Sequence, residues 1–213
     1  MTSLDLVQGT PEWIAARVGS LGASRVAEAL ARTKAGYAAT RANLLSELVV
    51  ERLTGQPAEH FVTPAMAWGT EKEPEARAAY AFRFDRDVDL VGLVPHPTIS
   101  GTHASPDGLI ADDGLIEIKC PSTATHIETL LGGQIPGKYV TQIEWQMACT
   151  GRAWCDFASF DPRLPEEMRL FVKRFARDDK RIAEMEEQVR EFLFELDTTV
   201  RRLSERYSLK VAA

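Results

Sequence analysis

The stretch "SPDGLIADDGLIEIKCP", Ser105 to Pro121, reads as two short apolar strands around a turn, interrupted by the charges of Asp107, Glu117 and Lys119. Side chains alternate faces along a strand, so Glu117 and Lys119 share one face while Ile116 and Ile118 take the other. Where Asp107 points depends on the turn. A two-residue Asp113-Gly114 turn would pair Asp112 with Leu115 and set Asp107 opposite Cys120, on the wrong face. A three-residue loop, Asp112-Asp113-Gly114, pairs Ala111 with Leu115 and Asp107 with Lys119, which gathers all three charges. Such loops commonly end on a residue in the left-handed region, where glycine fits at little cost. The three-residue loop and a shared face are therefore expected.

Two carboxylates and a lysine on one face ordinarily mean a solvated surface with an exposed ion pair. The functional alternative is a hard-cation site. Mg²⁺ takes one or two carboxylates together with waters and substrate phosphate. A lysine beside such an ion would stabilise charge that develops on a scissile phosphate.

Outward from the hairpin, the chain changes period. Thr10-Pro11 opens a short helix to about Arg17. "LGASRVAEALA" restarts a helix after Gly22 with Ser24 as the expected cap, and "RANLLSELVVERLTG" is a helix stopped by Gly55. Thr63-Pro64 repeats the cap signature ahead of a helix to about Phe84. Short β-rich segments near 87–94, 99–104, 108–111 and 115–119 read as strands. A helix near 138–150 follows, then strands near 153–160 and 168–175. A long helix from about Asp178 to Tyr207 carries apolar residues at 182, 185, 189, 192, 196, 200 and 203, one stripe that reads as packing. The expected architecture is α/β (α+β), a central mixed sheet flanked by helices in one domain over 1–213.

The composition is that of an ordinary globular chain: 213 residues, 45% hydrophobic, 26% charged, net charge −6. The acidic average argues against a strongly basic nucleic-acid binder but allows a local basic surface. The 3 cysteines, Cys120, Cys149 and Cys155, form no CxxC pair, and the 4 histidines show no zinc spacing. The start shows no signal-peptide pattern and no window is apolar enough to span a membrane, so a reducing cytoplasm is expected.

The motifs "QGTPEWIAARVGSLGAS", "WGTEKEPEAR", "SPDGL", "IEIKCP", "LGG", "YVTQIEWQM" and "FASFDPR", in that order between about Gln8 and Arg177, resemble the lambda-exonuclease and YqaJ-like viral recombinase family of PD-(D/E)xK nucleases. The resemblance implies a restriction-endonuclease-like core and a Mg²⁺-dependent enzyme, with Mn²⁺ as a substitute and one or two ions per site. It implies digestion of one strand of duplex DNA from a 5′-phosphorylated end to mononucleotides. A toroidal homotrimer working with a single-strand annealing protein is implied as well.

Residue by residue, the resemblance makes Asp107 and Glu117 the metal carboxylates, with the Ile118 carbonyl a further ligand and Lys119 the catalytic lysine. Glu73, which otherwise reads as a helical partner of Arg77, becomes an acid near the metals. Gln142 becomes a phosphate-reaching glutamine on the helix after the core. Arg17, Ser24 and Ser105 become the pocket for the terminal 5′-phosphate, with Ser24 at a helix start that favours anions. The chain departs from the lambda member in having no acid in "HPTISGTHAS", where that member carries one, and no DNA wedge residues are identifiable. An endonuclease of the same fold and a non-catalytic DNA-end-binding protein are the alternatives.

Overall fold

Thr10 and Pro11 act as their order implies: the Thr10 hydroxyl accepts from the Trp13 N–H, and helix α1 runs Pro11–Arg17. The structure is a computed structural model and describes residues 5–58 and 61–207. Strand β1 (Leu21–Gly22) pairs in parallel with Thr102 and His103. A 3-10 turn over Ala23–Arg25 and a single helical turn, α2 (Val26–Ala29), come next. Ser24 is therefore not the expected helix cap. Pairing keeps the backbone extended as far as Gly22, so the cap position falls on Gly22, and no side chain caps either turn.

A small hairpin, β2 (Arg32–Thr33) and β3 (Gly36–Tyr37), leads to α3 (Ala39–Thr54), which Gly55 ends in the left-handed conformation. Helix α4 (Pro64–Phe84) is capped by Thr63, whose hydroxyl accepts from the Met66 N–H at 3.2 Å. Strands β4 (Val94–Pro95) and β5 (Thr102–Ala104) join β1 in a three-stranded sheet of order β1-β5-β4. Of the strand expected near 87–94, most makes no ladder. Asp89 bridges Leu109, and the Val91 carbonyl is taken by the Gln8 amide instead.

The main sheet comprises β6 (Gly108–Ile110), β7 (Gly114–Lys119), β8 (Trp154–Phe160) and β9 (Leu170–Ala176), in that order, with β7 and β8 parallel and both edge pairs antiparallel. The crossover between the parallel strands carries α5 (Thr123–Gly132) and α6 (Gly137–Thr150), as parallel pairing requires a long connection. Helix α5 has a Ser122 cap and a Gly133 stop, and no helix was expected there. Helix α7 (Asp179–Arg206) closes the chain.

The hairpin β6–β7 forms in a different register from the one expected. Ile110 pairs with Gly114 and Gly108 with Ile116, so the loop is Ala111-Asp112-Asp113. Ala111 takes the left-handed backbone, at φ 46°, and Gly114 belongs to the strand. The reason lies across the sheet. Gly114 pairs with Trp154, and a Cβ on it would sit 2.2 Å from the indole ring. The shift is two residues, so it preserves which face each side chain takes.

Helix α4 covers one face of this sheet, where Ala76 and Tyr80 pack on Ile116, Ile118, Ala158 and Phe160. The other face carries Leu115, Cys155 and Phe157 into a larger core shared with α3, α6 and α7. The α7 stripe enters this core: Ile182, Met185, Val189, Phe192 and Leu196 are all buried. Fully burying such a side chain stabilises by roughly 1.5–3 kcal/mol before ordering costs. All three cysteines are buried and free. Among the described residues no helix is long and apolar enough to cross a membrane.

Candidate active site

The sheet delivers Glu117 and Lys119 to the face covered by α6, near the end of β7. Glu117 is fully buried and each of its oxygens is claimed. Gln142 donates to Oε1 at 2.7 Å and Gln146 to Oε2 at 2.6 Å, both from α6, where residues four apart share a side of the helix. The Lys119 ammonium also pairs with Glu117 Oε1 and lies 5.4 Å from the centroid of the Tyr139 ring.

Asp107 stands just before β6, on the same face. Its Oδ2 accepts the Ile118 N–H at 2.6 Å. Burial, then the negative charges of Glu117 and Glu73, push its carboxyl well above the usual range, against the pull of Lys119 and the Ile118 N–H. Glu73 reaches the group from α4. It pairs with Arg77, whose Nε also donates to the Asp107 carbonyl at 3.1 Å. Burial raises the Glu73 carboxyl, Arg77 and Lys119 lower it, and Glu117 raises it further. The helical pair and the place beside the hairpin charges are thus both real. For Lys119, burial favours the neutral amine, but Glu117 and Asp107 outweigh it and hold the ammonium charged.

Five of the expected residues therefore meet: Asp107, Glu117, Lys119, Glu73 and Gln142. Ile118 lies among them through its backbone. Three carboxylates face two cations, Lys119 and Arg77, and the Asp107 carboxyl is raised first by burial and then by its acidic neighbours. That set of carboxylates, with oxygen donors only, suits a hard divalent cation. Among the described residues, no three His, Cys, Asp or Glu side chains form a ready metal cage. Mg²⁺ does not need one, since one or two carboxylates and waters suffice.

The second expected group also assembles. Arg17, Ser24 and Ser105 line one cavity of about 150 Å³ together with Gln8, Trp13, Gly22 and His103, and Gln142 and Gln146 form its wall toward Glu117. The phosphate-pocket candidates and the carboxylate group are thus neighbours across two glutamines. Arg17 stacks over the Trp13 ring at 3.9 Å and donates through Nε to His103 at 3.2 Å. Trp13 Nε1 donates to the Ser105 hydroxyl at 3.2 Å and to the Gly92 carbonyl at 2.9 Å. Ser24 is exposed, and α2, a single turn without a side-chain cap, gives it no helix-end field of consequence.

Three residues of the site escaped the sequence reading: Gln146, Trp13 and His103. For Gln146 the signal was present, four residues after Gln142. Its Oε1 is buried without a hydrogen-bond partner, an acceptor left over once Nε2 binds Glu117. Trp13 and His103 become visible only when α1 and β5 are set side by side.

Residues 12–153 match the YqaJ-like viral recombinase domain. The chain belongs to that family. Among solved structures, the alkaline exonuclease LHK-Exo from Laribacter hongkongensis is 50% identical, with a TM-score of 0.87 over 93% of this chain and 98% of that one. The same protein has also been crystallised in complex with dAMP, and that structure matches equally well. A phage-related exonuclease from Haemophilus somnus 129PT shares the fold, at a TM-score of 0.69 and 14% identity over 87% of this chain and 96% of its own. No curated protein matches. The mixed sheet flanked by helices matches the nuclease-like fold of these exonuclease neighbours.

Proposed function

We propose that this YqaJ-family chain is a Mg²⁺-dependent 5′→3′ exonuclease acting on double-stranded DNA ends, releasing mononucleotides and leaving 3′ overhangs for recombination. The observation that carries the reading is the adjacency of the two groups: a crowded carboxylate–lysine cluster and an arginine–serine cavity share Gln142 and Gln146 as a wall. An alkaline exonuclease at 50% identity supports nuclease chemistry, and the dAMP bound to that relative is a mononucleotide of the kind such a reaction releases.

Asp107 and Glu117, with the Ile118 carbonyl, would hold Mg²⁺, and Glu73 would lie beside it; Mn²⁺ would substitute. When bound, such an ion supplies charge neutralisation at the scissile phosphate and a water of lowered pKa. The protein groups do the rest. Gln142 and Gln146 fix both oxygens of Glu117, so its orientation costs nothing at the moment of reaction. Lys119, held charged, presents a donor where negative charge grows on the phosphate, a preorganised interaction worth about 3 kcal/mol of barrier. Arg17, with Ser24 and Ser105, would hold the terminal 5′-phosphate through a planar fork suited to it.

A homotrimer closed around the duplex and a single-strand annealing partner complete the reading. The acidic average then requires the basic side chains to gather on the DNA-facing surface. An endonuclease of the same fold is the main rival. Linear duplex labelled at either 5′ or 3′ ends, closed circular duplex, and Mg²⁺ or EDTA separate the two. Early release of the 5′ label from linear DNA alone, with Mg²⁺ only, is expected. Cutting of the closed circle, or early release of the 3′ label, would refute the assignment.

A further inference from the structure

We infer that His103 is the positioning residue of the phosphate fork: by accepting the Arg17 Nε–H it orients the guanidinium so that its terminal nitrogens are left for an oxyanion in the cavity. The inference rests on the reading of that cavity as the 5′-phosphate pocket. His103 lies on β5, at 3% exposure, with both ring nitrogens engaged. Nε2 accepts from Arg17 at 3.2 Å, so the ring proton sits on Nδ1 and is donated to the Ser20 hydroxyl at 2.8 Å. Burial, then the charge of Arg17, holds the imidazole pKa down to about 3, so the ring stays neutral and keeps its acceptor.

The surroundings are built to the same end. Gly22 has no side chain, and a Cβ there would stand 3.2 Å from His103 Nε2 and 3.5 Å from Arg17 Nη2. Gly22, Arg17 and His103 all line the one cavity, and Arg17 and Gly22 also line a neighbouring cavity on the Glu51 side. Trp13 supports the flat side of the guanidinium, and its Nε1–H tethers Ser105 on the adjoining wall. Burial also lowers the Arg17 pKa, against the attraction of Glu51. A half-buried guanidinium with a neutral acceptor at Nε keeps its full charge for a ligand, where a carboxylate there would have neutralised it. A free arginine samples many rotamers, and fixing one in advance removes that ordering cost from binding.

The test is equilibrium binding in EDTA, by fluorescence anisotropy, of the same duplex carrying either a 5′-phosphate or a 5′-hydroxyl, with melting temperature as a control for folding. Wild type is expected to prefer the phosphorylated end and Arg17→Ala to lose that preference. His103→Phe keeps the ring and removes both nitrogens; it is expected to lower the preference roughly tenfold, the scale of a hydrogen bond to a charged group, with a much smaller loss of affinity for the hydroxyl duplex. His103→Gln can return an acceptor to Arg17 and should recover most of the loss. Ser20→Ala, which only frees the far side of the ring, should lower the ratio less, and it decides the matter if His103→Phe fails to fold: an unchanged ratio then overturns the inference. An unchanged ratio in His103→Phe beside a lost one in Arg17→Ala also overturns it. So does equal weakening of both duplexes, which would make His103 a packing residue. A wild type without preference, or an Arg17→Ala variant that keeps it, refutes the pocket itself.

Discussion

Two carboxylate sites lie at the ends of neighbouring parallel strands, and the protein treats them in opposite ways. Asp161, directly after β8, accepts from the Thr123 hydroxyl at 2.6 Å, from Arg163 Nε at 2.7 Å and Nη2 at 2.9 Å, and from the Arg163 N–H at 3.0 Å. Burial works against its charge, yet these donors hold its carboxyl down at about 2. Beside β7, Asp107 is pushed the other way by burial and by Glu117 and Glu73. Asp161 is saturated with donors and serves the fold. The Asp107 group packs three carboxylates against two cations in a partly buried setting, an arrangement that a bound cation would relieve. On the proposed reading, the difference separates structural from functional acids within one sheet.

Breaking the crowded site gives the largest effects. Asp107→Asn should abolish Mg²⁺-dependent digestion while raising the melting temperature in EDTA at neutral pH. The sign follows from linkage. A carboxyl whose folded pKa is raised binds more protons folded than unfolded between the two values, so stability falls as pH rises through that window. The stabilisation by Asp107→Asn should therefore shrink as pH is lowered through the raised folded pKa toward the ordinary carboxylate range. Thermal melts from pH 4 to 8 check it; a destabilised variant at neutral pH would show that Asp107 is as content as Asp161.

Lys119→Ala should leave DNA binding nearly intact and lower turnover by about two orders of magnitude, the cost of one preorganised charge stabiliser. Single-turnover digestion measures it, and wild-type turnover would remove Lys119 from the mechanism. Gly114→Ala tests the hairpin register. It should destabilise by about 1–3 kcal/mol through overlap with Trp154, as overpacking does, with the site chemistry otherwise unchanged. A turn position, as first expected from Asp-Asp-Gly, would predict the strain to be relieved by Trp154→Ala not at all; the observed contact predicts partial rescue.

How far the sequence discloses this site can be judged from that hairpin. Alternation placed Asp107, Glu117 and Lys119 on one face correctly, because face depends only on parity. The register itself depended on Trp154, a residue forty positions away, so local turn chemistry chose the wrong loop. The helix starts at Thr10 and Thr63 and the stop at Gly55 were legible because capping is local. Helix α5 carried the same local signals, Ser122 and Gly133, but was not read from them. Ser24 was misread as a cap because strand pairing at Gly22 overrode the local preference, and Trp13 and His103 entered the site only through contacts between distant segments.

Asp161→Asn, the counterpart in the satisfied site, should have the smallest effect. It keeps acceptors for Thr123 and the Arg163 N–H and loses charge assistance, costing on the order of 1 kcal/mol once the half-exposed Arg163 is discounted. The contribution of Asp161 is present above the unfolded carboxylate pKa and is lost as pH falls toward about 2. The difference in melting temperature between wild type and Asp161→Asn should vanish along that path, with activity near wild type at neutral pH.

The central claim is that the crowded carboxylates beside β7 are the cation site, and titration calorimetry of Mg²⁺ tests it most directly. Wild type and Asp161→Asn should bind Mg²⁺ alike, while the double variant Asp107→Asn/Glu117→Gln, folded by its thermal melt, should give no binding heat. Unchanged Mg²⁺ affinity in the folded double variant would contradict the account and place the cation elsewhere.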